Sequence, residues 1–216
     1  MIRTLIGLAA AASLSSLALA QSTSDARSID SFEQLDAGGN FDLRFEPSET
    51  ASIRFEGDAD DIAKIDIDES GDQLEIRQRR GASGWFGRRR DLDVVVYVSG
   101  PNVSSFQFSR GVDAQVSSIR SDDISINVST GANVDFEGNC VTARINTSTG
   151  GQLDGLNFTC DSVTANASTG SDLSINAQNA LRANVSTGAD VRSLTHPADL
   201  NVRSSTGGDV HIGSRR

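Results

Sequence analysis

A chain of 216 residues with a formal net charge of −10 and two cysteines has room for one domain or two small ones. The acidic balance argues against a nucleic-acid partner, whose phosphates would repel it. Lys64 is the only lysine and Phe158 the only aromatic after Cys140, so a core built in the latter half must be narrow and filled with aliphatic and small residues.

The first twenty residues read as a leader. Arg3 supplies a positive start, Leu5 to Leu19 is mostly apolar and small, and Ala18-Leu19-Ala20 is a small-x-small cleavage site. This is the anatomy of a secretory signal peptide cut between Ala20 and Gln21. The stretch is interrupted by Ser13, Ser15 and Ser16 and is too short for a membrane span. The mature chain is thus expected to be exported, to the periplasm, the cell surface or the medium, with no transmembrane segment.

Residues 21–100 predict an irregular β region. Phe41 to Phe45, Ile53-Arg54-Phe55, Ile65-Asp66-Ile67 and Leu74-Glu75-Ile76 alternate apolar and polar side chains, and Pro47-Ser48-Glu49 and Glu69-Ser70-Gly71-Asp72 read as turns between them. Val94 to Val98 is continuously apolar and is expected to be covered on both faces. The region is expected to cap the first coil of the repeats that begin near residue 101 and to shield its edge.

From residue 101 to 216 the chain repeats. Ser-Thr-Gly begins at Ser129, Ser148, Ser168, Ser186 and Ser205, and Ser109-Arg110-Gly111 is a divergent earlier copy, so the spacings are 20, 19, 20, 18 and 19. Apolar or small residues stand three before each Ser (Phe106, Ile126, Ile145, Ala165, Ala183, Val202) and five after it (Ala114, Val134, Leu153, Leu173, Val191, Val210). Asn127, Asn146, Asn166 and Asn184 stand two before it. A fixed period near 20 with strand-like alternation and no helical stripe predicts an all-β parallel solenoid of about 19–20 residues per coil. Gly111, Gly131, Gly150, Gly170, Gly188 and Gly207 would take positive φ at its corners. Each coil climbs ~4.8 Å, so six coils make a rod of roughly 30 Å in which like Ser, Thr and Asn side chains can form ladders. Cys140 and Cys160 are one period apart, which puts their Cα atoms ~5 Å apart on neighbouring coils and predicts a disulfide. No cap follows the last copy: either Arg215 and Arg216 blunt that end by charge, or it docks on another copy or a partner.

Taken in order, the leader, Gly38-Gly39 before a strand, Ile53-Arg54-Phe55-Glu56-Gly57, the Val94 to Val98 strand, Phe106-Gln107-Phe108-Ser109-Arg110-Gly111 and the repeated Ser-Thr-Gly turns resemble the head GIN domain family of exported bacterial proteins. The resemblance covers nearly the whole mature chain, as one continuous domain over 21–216. It implies a single-stranded right-handed parallel β-helix, and the family's label of auto-transporter adhesin head implies surface adhesion. It carries no catalytic residues. The sequence departs from an autotransporter in leaving no C-terminal segment for a membrane barrel.

Two features carry candidate chemistry. Arg77, Arg79, Arg80, Arg88, Arg89 and Arg90 surround the adjacent Trp85 and Phe86 in one Gly-punctuated segment. Arginine forks fit phosphate and carboxylate, and an exposed aromatic pair could stack on sugar, which points to an anionic glycan or an envelope surface. The competing reading is a hairpin whose arginines balance nearby acids. Four residues after each repeat Ser stands Asp113, Asn133, Gln152, Asp172, Asp190 or Asp209. Stacked in water, the last three would repel by about 1 kcal/mol per pair, so this line must be exposed or hold a cation; calcium is the guest their oxygens would suit, although Asp is also an ordinary turn residue.

Catalysis finds little support. His196 and His211 lie at unrelated phases of the repeat, coils of ~20 residues leave no insertions to build a cleft, and no serine sits in a nucleophile elbow. Neither a cofactor nor a resident metal is expected. The reading is a non-catalytic exported module that binds cell-envelope or extracellular polymer, with a self-assembling structural unit joined through its C-terminal coil as one alternative and a carbohydrate-active enzyme as another.

Overall fold

In the computed structural model of the chain, which describes residues 22–23, 26–79, 91–101 and 103–213, nearly every segment between turns is a β-strand. Two short strands, β1 (Ser22–Thr23) and β2 (Arg27–Ser28), precede β3 (Gln34–Gly38), β4 (Asp42–Pro47) and β5 (Ser52–Gly57). A single helical turn, α1 (Ala59–Ile62), follows, its first N–H groups accepted by the Asp58 carboxylate at 2.9 and 3.2 Å. Then come β6 (Ile65–Ser70), β7 (Gln73–Gln78), β8 (Val94–Gly100) and β9 (Ser105–Ser109). The long strands β10 (Asp113–Ser129), β11 (Asn133–Ser148), β12 (Gln152–Ala167) and β13 (Asp172–Val185) each make most of a coil, and β14 (Asp190–Ser193), β15 (Asp199–Ser204) and β16 (Asp209–Ile212) complete the stack.

The stacking is parallel and in register. Ile126 is followed up the stack by Ile145, Ala165 and Ala183 in turn, and the column ends at Val202. On the other side of each corner Ala114 leads through Val134, Leu153, Leu173 and Val191 to Val210. These columns point inward and are buried until the last coil, where Leu200, Val210 and Ile212 are only half-buried. The core is wide enough for aromatics only near its start: Phe45, Phe106, Phe136 and Phe158 stack edge to face along the axis at centroid spacings of 5.2, 5.2 and 4.8 Å. Beyond Phe158 it narrows to Val, Ile, Leu and Ala.

The parallel column reaches back into the N-terminal region. β4 pairs in parallel with β10, placing Asp42 and Leu43 opposite Asp113 and Ala114, and β3 pairs in parallel with β9. Beneath this coil lie β7, parallel to β3, and β8, parallel to β4. Only the outermost strands turn antiparallel: β6 on β7, β5 on β8, then β1 and β2 on β5. The chain therefore lays down β3 and β4 first and returns to build the closing layer under them. Val94, Val96 and Val98 are buried while Val95 and Tyr97 are half-buried, with the Arg54 guanidinium 3.8 Å from the Tyr97 ring centre.

Each repeat corner is a two-residue left-handed turn. Thr130 and Gly131 both have positive φ, 54° and 72°, and the Ala132 N–H returns to the Ser129 carbonyl at 3.2 Å, as in a type I′ turn. All six expected glycines take positive φ, between 63° and 88°. Corners are also tied to one another, the Gly131 N–H donating to the Thr149 carbonyl and the Gly150 N–H to that of Thr169. Cys140 pairs in register with Cys160 and is bonded to it, with Cα atoms 4.5 Å apart.

Candidate binding faces

The corner separates two outward faces of different chemistry, one led by a carboxylate-rich column and one by a column of amides. After the corner, alternate residues of β4, β10, β11, β12, β13, β14 and β16 point to solvent. Asp42, Asp113, Asn133, Gln152, Asp172, Asp190 and Asp209 form one column there, which contains the acidic line read from the sequence and extends it by Asp42. The next column is Arg44, Gln115, Asp135 and Asp154, then Ser174, Arg192 and His211. A groove of about 510 Å³ beside it is lined in part by Glu46, Asp135, Glu137 and Asp154. Burial and then the neighbouring Asp154 and Glu137 raise the Asp135 carboxyl above the ordinary range, and burial followed by Asp113 does the same to Asp42. Asn133 relieves part of this crowding by donating to Asp113 at 2.7 Å. Among the described residues no three acidic, His or Cys side chains are grouped so that they could hold a metal ion, at Asp172, Asp190 and Asp209 or elsewhere.

Before the corner the outward face is built differently. Glu75, Asp36, Gln107, Asn127, Asn146, Asn166, Asn184 and Arg203 form one unbroken column. Asn146 donates to Asn127, Asn166 to Asn146 and Asn184 to Asn166, each at 2.9 Å, and Gln107 donates to Asp36 at 3.0 Å. One flanking column is Ser109, Ser129, Ser148, Ser168 and Ser186; the other runs through Ser125, Arg144, Thr164, Arg182 and Asn201. The acids of this face lie beside arginines, Asp36 and Glu75 against Arg77 and Asp123 against Arg144 at 3.1 Å. Asn146 and Asn166 each spend one N–H and one lone pair on their neighbours, which leaves at least one of each on every ladder asparagine for solvent or a ligand.

At the base of this face Arg77 pairs with Asp36 and Glu75, with its guanidinium lying over Gly38, where any side chain would collide with it. Burial raises the Asp36 carboxyl above the usual range, against the lowering pull of Arg77. Arg79 pairs with Asp66 on the exposed β6–β7 hairpin, and the hydrogen bond it donates lowers the Asp66 carboxyl and raises the Arg79 guanidinium. These are two of the arginines singled out in the sequence, and both are engaged with carboxylates. Arg80, Trp85, Phe86, Arg88, Arg89 and Arg90 lie outside the described residues, in the segment joining β7 to β8. A third side of the stack carries a groove of about 1010 Å³ beside the disulfide, lined in part by Pro47, Pro101, Ile119, Arg120 and Val141. Among the described residues no helix is long and apolar enough to cross a membrane.

Comparison with known proteins places this geometry. Residues 31–197 match the family described as “Putative auto-transporter adhesin, head GIN domain”. A crystal structure of “a putative adhesin” from Bacteroides fragilis NCTC 9343 superposes with a TM-score of 0.68 at 15% identity, covering 90% of this chain and 98% of that one. A second one, from Parabacteroides merdae ATCC 43184, gives 0.52 at 16% identity over 90% and 96% of the two chains. A “putative lipid binding protein” from Parabacteroides distasonis ATCC 8503 gives 0.52 at 11% identity over 90% and 97%. At such identities the likeness is one of fold. No curated protein matches the sequence. With more than three quarters of its length inside the family match, the chain belongs to the head GIN domain family.

Proposed function

We propose that the chain is a non-catalytic, adhesin-like module, exported to the periplasm or the cell surface, that lies lengthwise along a hydroxyl-rich polymer of the envelope or its surroundings. The observation that carries this reading is the continuous Gln107–Asn127–Asn146–Asn166–Asn184 column. Its spare donors and acceptors recur every ~4.8 Å along one flat face, so an extended glycan meets an equivalent partner at each coil. Charge supports the choice of face. The carboxylates after the corner repel an acidic polymer, whereas Arg144 and Arg182 flank the amide ladder. The arginine-rich segment between β7 and β8 adds a preference for anionic chains.

The reading is tested by measuring binding to immobilised neutral and uronic-acid polysaccharides. Thr164 lies in register between Arg144 and Arg182, so Thr164→Glu sets one carboxylate between the two guanidinium groups and halves their combined charge without breaking the ladder. It is expected to weaken binding at least about tenfold, the cost of one good polar contact. Gln152→Glu, on the acidic face, is expected to leave binding unchanged. Equal effects of the two substitutions, or no binding by the unmodified chain, would overturn the assignment.

A further inference from the structure

The far end of the stack is built differently from its start. Among the described residues no strand pairs with the outer edge of β15 or β16, so alternate N–H and C=O groups there point away from the protein. Side chains that belong to the core columns surface at this end: Val202 is 37% exposed, whereas Ile145, Ala165 and Ala183 below it are at most 1% exposed. The opposite end is protected. There β5 is covered by β1 and β2, and the free edge of β6 carries Asp66, Asp68 and Glu69, charges that oppose strand addition. A head-to-tail chain of copies would have to join an apolar edge to an acidic one. Joining tail to tail has no such conflict.

The sequence of β15 is complementary to itself. Run antiparallel to a second copy about Asn201, it sets Asp199 against the partner's Arg203, Leu200 against the partner's Val202, and Asn201 against its own equivalent. Residues directly opposite in an antiparallel pair point to the same side of the sheet. The match therefore keeps Leu200 and Val202 in the core columns and Asp199, Asn201 and Arg203 outside, as in the single chain. Among the described residues neither Asp199 nor Arg203 has an ion-pair partner of its own. We infer that the chain forms a two-fold dimer through β15, in which the two cores join end to end and two Asp199–Arg203 pairs form between the chains, one on each side of the axis. Antiparallel pairing within one sheet keeps both amide ladders on the same side, so the dimer presents one polar face of doubled length. The dimer stands independently of what that face binds.

The test is sedimentation of the full chain, expressed with its own leader, over a range of concentrations, with disulfide trapping alongside. The unmodified chain is expected to show a monomer–dimer equilibrium. Arg203→Asp places like charges opposite each other twice per dimer and is expected to weaken it on the order of 30-fold. The exchange Asp199→Arg with Arg203→Asp is expected to restore it. Asn201→Cys falls on the two-fold axis, where opposed Cα atoms are ~4.5–5.5 Å apart, and is expected to form a covalent dimer under oxidation. Asn146→Cys, in mid-stack, is expected to stay monomeric on a non-reducing gel. A chain that is monomeric at every concentration overturns the inference. So does a dimer that Asn201→Cys fails to trap, or one that the charge exchange fails to rescue; none of these outcomes bears on polymer binding by the ladder.

Discussion

The corner turns allow a quantitative test, because two adjacent residues in each hold left-handed backbone and only one of them is glycine. Thr130, Thr149, Thr169, Thr187 and Thr206 have φ between 51° and 55°. For an L-residue this region costs about 1–2 kcal/mol, and for a β-branched one it is a genuine outlier. All five side chains are exposed, so replacing them removes no core contact. Asparagine tolerates the same conformation far better and is the favoured first residue of such turns. If it recovers about half the strain, Thr130→Asn with Thr169→Asn, on coils that are not neighbours, should together stabilise by about 1–2 kcal/mol. For a domain of this size that is a rise of roughly 2–8 °C in Tm. The matching losses come from two consecutive glycines. At Gly150, φ is 71° and a Cβ would meet nothing within 4 Å, so Gly150→Ala costs the conformational strain alone, about 1–2 kcal/mol. At Gly151 a Cβ would stand 2.6 Å from the Val128 carbonyl oxygen, so Gly151→Ala must move the coil below and should cost more. Thermal melts followed by far-ultraviolet circular dichroism measure all four changes. A lower Tm for the asparagine variant, or equal losses at Gly150 and Gly151, would refute the reasoning.

Three further outcomes are expected from the same geometry. Asp135 has a carboxyl raised chiefly by burial and then by Asp154, so the native state holds its proton more tightly than the unfolded chain does; its contribution to stability is best below the ordinary carboxylate range and declines as pH rises through the raised value. Asp135→Asn should therefore raise Tm at neutral pH and leave it unchanged near pH ~3, below both the folded and the unfolded carboxyl range; a gain that does not shrink on acidification contradicts this. Phe136 joins the Phe106 and Phe158 rings and is fully buried, so Phe136→Ala should cost about 3–5 kcal/mol, read from the urea midpoint. Converting Cys140 and Cys160 to alanine opens a loop of 20 residues and should cost at most about 3 kcal/mol, because the register of β11 on β12 persists without the bond; an unchanged denaturation midpoint would contradict the entropic account.

Much of the solenoid is legible in the sequence because its register is a matter of spacing. Residues a period apart become vertical neighbours, and so the amide ladder, the inward Ile126 column and the Cys140–Cys160 bond can all be read from positions alone. Three things cannot. The stack order of β3 and β4 is hidden because the chain builds its first parallel coil before the layer beneath it, and spacing describes only coils laid down in succession. The left-handed Thr is hidden because a Ser-Thr-Gly string advertises positive φ at its glycine and nowhere else. Arg77 looks like a free cation in a basic run, yet it belongs by strand alternation to the face that holds Asp36, forty-one residues earlier. Partners brought together by parallel pairing between distant segments leave no local trace. The acidic line is visible in the spacing, but its counterpart across the corner takes its meaning only from the contrast between two faces.

That contrast bears on what the stack is shaped to do. A parallel solenoid places like side chains over like, so any charged column repels itself at every step of ~4.8 Å. Stability alone would favour the arrangement before the corner, where Asn146, Asn166 and Asn184 each donate to the amide one coil earlier. After the corner Asn133 and Gln152 dilute the column in the early coils, but Asp172, Asp190 and Asp209 succeed one another with nothing between them. The self-repulsion there is not needed to make the fold, since the inward columns and the backbone ladder already define it. On the proposed reading it sets a field on one side of the rod that disfavours acidic surfaces there and leaves the amide face for them to approach. The corner residues point the same way: exposed threonines held at a conformational cost stand along the edge where the two faces meet, which is where a polymer lying on the ladder would find its border.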